Sequence, residues 1–332
     1  MIIAKTPFRM SFFGGGTDMP EFFNSYGGSV ISTSFDKYCY TTLRHLPPFF
    51  DYRTEIAYSR IERVTESADL EHPLVRSAMQ YLDIRDIRLT YEADLPARSG
   101  LGTSSSFAVG MLNAFHRLKG KNVSPKQLAD EAIYVERVLC DEAGGWQDQI
   151  AAAYGGFNRI NFRDNAYEVI PLDIPGERKK RLNDNMMLFF TGFTRNSSEV
   201  QKESKPMSEK EKELKEMLTL VDDAEKILTD DGRDLDDFGR LLDTTWKLKR
   251  QTGDKVSTSH IDDCYEKAMK AGALGGKLLG AGGGGFFVFY VPEDRQQAVA
   301  ETLKDLLQIP FEFSDTGSEI IYESEEIAYV TY

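Results

Sequence analysis

From Ile87 to Leu95 the apolar positions Ile87, Leu89, Tyr91, Ala93 and Leu95 alternate with Arg88, Thr90, Glu92 and Asp94. This is the period-two pattern of a half-buried strand, and Pro96 ends it. The spacing then changes: Ala108, Met111, Leu112 and Phe115 recur at helical intervals, with Gly120 where a helix stop is expected. Between the two lies PARSGLGTSSS, so the order is strand, Gly/Ser loop, helix. A second helix is predicted from Ser124, where Ser124, Pro125 and Gln127 make a capping box. Its apolar face is Leu128, Ala132, Val135 and Leu139, with Glu136 beside it. It should stop near Gly144 and Gly145, leaving Asp148 just beyond the turn. Strand and loop signals dominate before residue 175, and charged helical patterns run from about Ser208 to Ala271. The run KESKPMSEKEKELKEM reads as an exposed loop leading into a solvated helix, without assigned function.

The loop ahead of the first helix carries candidate chemistry. Free N–H groups and the positive dipole end at a helix N-terminus both favour an anion, and Ser or Thr there adds hydroxyls. Simple capping by Thr103 or Ser104 is the alternative. GLGTSSS lacks the lysine of G-x-x-x-x-G-K-[ST], so a Walker-type site is not indicated. A second cluster, KLLGAGGGGFFVFYV, satisfies G-x-G-x-x-G by letter at Gly280, Gly282 and Gly285, but a strand-like run follows it. A dinucleotide fold needs the opposite order, so four consecutive glycines point to close approach, either to a ligand or to the first glycine loop. A third cluster, PFRMSFFGGGTDMPEFF, is bracketed by Arg9 and Asp18, a pair suited to a polyhydroxylated substrate. Glu136 and Asp148 could divide labour, one on Mg²⁺ and one on a reacting hydroxyl.

Composition narrows the classes. At 332 residues the chain is long enough for two domains, and 41% hydrophobic with 28% charged residues is ordinary for a globular protein. A net charge of −13 leaves no basic surplus for nucleic acid or an anionic membrane. No apolar run approaches twenty residues and the N-terminus lacks signal-peptide features, so the expectation is a cytoplasmic protein. Three scattered cysteines and four histidines support neither a disulfide framework nor a zinc site.

Together, PFRMSFFGGGTDMP, LPARSGLGTSSS and KLLGAGGGG resemble, in order, the three motifs of the GHMP kinase superfamily. The resemblance implies an α/β fold of two domains: an N-terminal half of the ribosomal protein S5 domain 2 type over residues 1–175, and a C-terminal α+β half over 176–332. It also implies ATP and Mg²⁺ as cofactors. ATP phosphates are expected on Gly100, Leu101, Gly102, Thr103, Ser104, Ser105 and Ser106. Ser104 and Glu136 are expected to hold the metal, and Asp148 and Arg9 to be catalytic. Substrate contacts are expected from Gly14, Gly15, Gly16, Thr17, Asp18, Gly282 and Gly283. Arg195, in GFTRNSSEV, is the candidate for a distal phosphate. Within the superfamily the wording of the motifs is similar to the bacterial heptose 7-phosphate kinases, which implies a sugar phosphate as small-molecule partner. L-fucose kinases share much of it. A non-catalytic sugar and ATP sensor is the rival from another class, and the presence of both Glu136 and Asp148 counts against it. No oligomeric state is assigned.

Overall fold

The computed structural model describes residues 1–193 and 205–324. The chain opens with β1 (Ile2–Phe13), α1 (Pro20–Tyr26) and the long β2 (Gly28–His45), followed by β3 (Thr54–Ala57), β4 (Ile61–Val64), α2 (Pro73–Tyr81) and β5 (Ile87–Ala93). Next come α3 (Thr103–Leu118), α4 (Pro125–Ile133), a π-helical turn (Tyr134–Leu139), α5 (Gln147–Tyr154), β6 (Phe157–Arg163) and β7 (Ala166–Pro171). The remainder is α6 (Gly176–Asp184), β8 (Met186–Phe190), α7 (Met207–Thr229), α8 (Asp236–Gln251), α9 (Ser259–Ala271), β9 (Gly275–Leu278), β10 (Phe286–Tyr290) and α10 (Gln296–Thr302). Three short strands end it, β11 (Leu307–Ile309), β12 (Phe313–Ser314) and β13 (Glu319–Glu323).

Among the described residues these strands make two sheets. The larger runs β13-β1-β2-β5-β3-β4, and the length of β2 lets it pair with β5 along one half and with β6 along the other. The smaller is antiparallel, β11-β8-β10-β9. The expected division at 175 falls just before α6, yet β12 and β13 return to pair with β2 and β1. A period-two pattern does not say which sheet a strand will join.

The predicted strand and helix around the Gly/Ser loop are β5 and α3, and Gly120 takes φ +69° beyond the helix end. One apolar core lies on α3, which buries Ala108, Met111, Leu112 and Phe115 against Ile2, Leu43 and Leu89. A second joins the sheet to the helical half, where Phe12 stacks on Phe157 with centroids 5.6 Å apart and meets Phe238 of α8 edge-on at 5.3 Å. Phe13 meets the same Phe238 ring at 5.1 Å. Such pairs add about 0.5–1.5 kcal/mol each beyond the area they bury, and here they fix the end of β1 against α8. The β1–β2 pairing is irregular between Pro7 and Phe8 and again between Ser11 and Phe13. These irregularities flank Arg9, and bulges of this kind re-aim side chains.

Candidate active site

A cavity of about 840 Å³ runs between the two halves, within the size range of small-molecule and cofactor sites. One wall is the N-terminus of α3. Its N-cap is Gly102 in the left-handed region, and no side chain caps the first turn. The hydroxyl of Thr103 instead accepts from Arg98 N at 3.3 Å. By contrast, Ser124 caps α4 by accepting from Gln127 N at 3.2 Å, although Gln127 turns to Glu131 and leaves the capping box half made. The α3 terminus thus keeps its N–H groups and dipole available to an anion in the cavity. Gly100, Gly102, Thr103, Ser104 and Ser105 line it. Leu101 and Ser106 turn inward: Leu101 O accepts from Arg9 N at 3.1 Å, and Ser106 Oγ donates to Pro7 O at 2.8 Å.

Glu136 reaches this wall because the second helix does not stay α-helical. The π turn shifts the phase of the helix, so Glu136 is 1% exposed while Leu139, predicted on the apolar face, is 40% exposed. Ser104 Oγ donates to Glu136 Oε1 at 3.1 Å and Ser105 Oγ to Oε2 at 2.8 Å, and Gln149 Nε2 also donates to Oε2. Ser104 is exposed to the cavity. A hydroxyl beside a carboxylate is the hard-oxygen donor set that Mg²⁺ accepts when phosphates complete its shell. Among the described residues no cluster of three or more His, Cys, Asp or Glu could hold an ion on its own.

Arg9 joins the loop to the carboxylate across the cleft. It is 4% exposed, its Nε donates to Asp148 Oδ1 at 2.7 Å and its Nη1 to Gly100 O at 2.6 Å. Asp148, in the first turn of α5, is 26% exposed and lies over Gly102, where an added Cβ would stand 3.5 Å from Oδ2. Asp18 lies at the far side, with Oδ1 accepting from Gly16 N at 3.0 Å and Oδ2 from Gln147 N at 3.2 Å. Burial and the charge of Asp148 push the Asp18 carboxyl above its usual range. Gly15, Gly16 and Asp18 line the cavity. Gly14 and Thr17 build the turn instead: an added Cβ on Gly14 would fall 1.9 Å from Ser29 O, and Thr17 Oγ1 donates to Gly14 O at 2.8 Å.

The C-terminal glycine loop closes the cleft from the other half. An added Cβ on Gly280 would stand 2.3 Å from Gly100 Cα, and one on Gly285 2.2 Å from Ser99 O, so the close approach is to the first glycine loop. Gly280 and Ala281 line the cavity. Gly282 and Gly283 are not brought there: Gly282 packs on the Val256 backbone and Gly283 N donates to Val256 O at 3.0 Å. Arg195 lies outside the described residues.

Several lining residues carried no signal in the sequence pattern. Tyr58, His72, Phe107 and Tyr91 form a chain of rings with centroids 4.9, 5.8 and 4.6 Å apart, drawn from two loops, α3 and β5. His72 Nδ1 is buried without a partner there. Lys249 and Lys277 enter from α8 and β9. The charged run that leads into and opens α7 is not simply solvated, since Leu214 and Met217 pack on Phe22 and line the cavity with Lys210. Their i, i+3 spacing was visible, but only the fold supplies what it packs against.

Comparison with known proteins then places the chain. Residues 72–156 match the family described as GHMP kinases N terminal domain, and residues 220–308 match GHMP kinases C terminal. The chain is 29% identical over 315 residues to a D-glycero-alpha-D-manno-heptose 7-phosphate kinase of Campylobacter jejuni, covering 91% of this chain and 93% of that protein. It is 31% identical over 234 residues to a mevalonate kinase of Pyrococcus horikoshii, covering 68% and 64%. A crystal structure of a D-glycero-D-manno-heptose 1-phosphate kinase from Bacteroides thetaiotaomicron superposes with a TM-score of 0.80 at 26% identity, over 98% of this chain and 100% of that one. With both family domains matched in order and the fold shared along its length, the chain belongs to the GHMP kinases and is an ATP-dependent phosphotransferase.

Proposed function

We propose that the chain transfers the γ-phosphoryl group of ATP to the anomeric C1 hydroxyl of D-glycero-D-manno-heptose 7-phosphate, giving the 1,7-bisphosphate. The acceptor is a sugar, and the observation that carries the reading is Asp148 held by Arg9 over the uncapped N-terminus of α3, in one cavity with Ser104 and Glu136. Support for heptose 7-phosphate comes from the Campylobacter relative, matched along almost its whole length. L-fucose is the second reading, favoured by a bifunctional fucokinase of Arabidopsis thaliana that is 24% identical over 92% of this chain, although the chain spans 30% of that protein. Residues 1–175 and 176–332 serve as the two kinase domains, with β12 and β13 completing the first sheet.

In this reading the rings of Tyr58, His72, Tyr91 and Phe107 hold the nucleobase, with His72 Nδ1 free to meet a ring nitrogen or amino group. The N–H groups from Gly100 to Ser105 hold the phosphates. Ser104 and Glu136 hold Mg²⁺, which neutralises phosphate oxygens when bound with the nucleotide. Asp148 orients the acceptor hydroxyl and takes its proton as the oxygen attacks phosphorus, and ADP leaves on the opposite side. Arg9 fixes the Asp148 carboxylate and offsets charge at that centre. Asp18, Gly15 and Gly16 take the sugar hydroxyls. The test is coupled ATP-consumption kinetics with heptose 7-phosphate, L-fucose, galactose, mannose and mevalonate. A much higher kcat/KM for heptose 7-phosphate supports the reading, and a preference for L-fucose moves the chain to the second one.

A further inference from the structure

Two cations in the cleft, Lys277 buried and Lys249 half-buried, are not used by the phosphoryl-transfer step. Lys277 of β9 is 2% exposed, and its ammonium donates to Phe12 O at 2.9 Å. Lys249, in the last turn of α8, donates to Leu278 O at 2.9 Å and to Gly280 O. Both line the cavity, and among the described residues no carboxylate pairs with either. Burial pushes both lysines down, Lys249 to about 7, and nearby positive charge adds to it: Arg9 at Lys249, and Lys249 then Arg9 at Lys277. Like charges gathered out of water are costly unless something anionic joins them. Lys277 spends one of its three N–H donors on Phe12 and keeps two. Ser11, the residue before Phe12 on β1, is 5% exposed, lines the same cavity and has a hydroxyl without a hydrogen-bond partner. Ser11 stands two residues from Arg9 on β1, so the two project from one face of the strand.

We propose that Lys277 and Lys249, with the Ser11 hydroxyl, form the subsite for the phosphate that the acceptor already carries. The inference rests on the sugar-phosphate reading above. The nucleotide phosphates have their own wall, at α3. Ser11, and Phe12 whose carbonyl holds the Lys277 ammonium, belong instead to the stretch of β1 that leads into the Gly15–Asp18 turn, the acceptor end of the cleft. Asp18 and Asp148 line the same cavity and are suited to sugar hydroxyls, so a phosphate is drawn to the lysine side by charge.

The test compares Lys277→Met and Lys249→Gln with the wild type on two matched acceptors, heptose 7-phosphate and the same heptose without phosphate, at saturating Mg·ATP. Met keeps the apolar stem of Lys277 and removes its charge. The expected result is that the wild-type preference for the phosphorylated acceptor falls by roughly 10- to 100-fold in each variant, through KM, as for a lost charge-assisted hydrogen bond. Equal loss on both acceptors would assign the lysines to the transferring phosphoryl group and overturn the proposal. So would an undiminished preference, which leaves the sugar-phosphate reading standing. A wild type without preference overturns both. Independently of turnover, inorganic phosphate should raise the melting temperature of the wild type saturably and that of a folded Lys249→Gln or Lys277→Met variant much less; equal shifts would contradict the subsite.

Discussion

Gly280 and Gly120 share a backbone conformation, at φ +73° and +69°, but not their surroundings. Around Gly120 nothing lies within 4 Å of an added Cβ, so Gly120→Ala bears only the cost of a side chain in the left-handed region, about 1 kcal/mol. At Gly280 the same methyl would stand 2.3 Å from Gly100 Cα and 2.9 Å from Gly100 O, which are backbone atoms that no rotamer change can move. One glycine loop must shift, and overpacking of that kind adds about 1–3 kcal/mol. Gly280→Ala should therefore destabilise by roughly 2–4 kcal/mol, read from urea unfolding midpoints at unchanged slope. Displacing Gly100 also displaces the phosphate-binding loop, and a misplacement near 1 Å costs about 10²-fold, which should appear in kcat/KM for ATP. Gly120→Ala, at the end of α3 away from the cleft, should leave that constant within a few-fold. Equal destabilisation by the two substitutions, or normal ATP kinetics in Gly280→Ala, would refute the claim that the two loops are locked backbone to backbone.

Asp148→Asn keeps size and removes charge, so turnover should fall by at least about 10²-fold while nucleotide binding persists; near-normal turnover would remove Asp148 from the reaction, and lost binding would make it structural. Ser104→Ala and Glu136→Gln should each impair use of Mg·ATP with effects that do not add, because both disrupt one site, and strict additivity in the double-mutant cycle would count against a shared ion. Lys249 is held at about 7 against its ordinary 10.5 by burial and by Arg9. Between those values the unfolded chain binds a proton that the folded one lacks, so this group makes unfolding free energy rise with pH from about 7 to 10.5 and adds no slope outside that window. Urea melts of Lys249→Met should lose that part of the slope, and an unchanged slope would contradict the burial of the ammonium.

How much could be read from the chain depended on whether a residue's role is local. The phosphate loop was legible because strand, glycine turn and helix N-terminus are contiguous, and Arg9, Glu136 and Asp148 stood in short quotable motifs. The burial of Glu136 was not, because the π turn is invisible to a 3.6-residue pattern that placed Leu139 inside. Gly282 and Gly283 sat in the right loop, but a run of glycines does not say which member faces the cleft and which packs on Val256. Lys249 and Lys277 look like surface lysines in sequence, and only the approach of α8 and β9 to β1 buries their ammonium groups. The ring wall of Tyr58, His72, Tyr91 and Phe107 likewise draws on separate elements.

The most direct test of the central claim is phosphorus NMR of the protein incubated with Mg·ATP and D-glycero-D-manno-heptose 7-phosphate. The expected result is a new phosphomonoester resonance coupled to the anomeric proton, growing in step with ADP while the 7-phosphate signal persists. A new phosphate coupled to any other sugar proton, or ATP left unconsumed in the presence of the heptose phosphate, would contradict it.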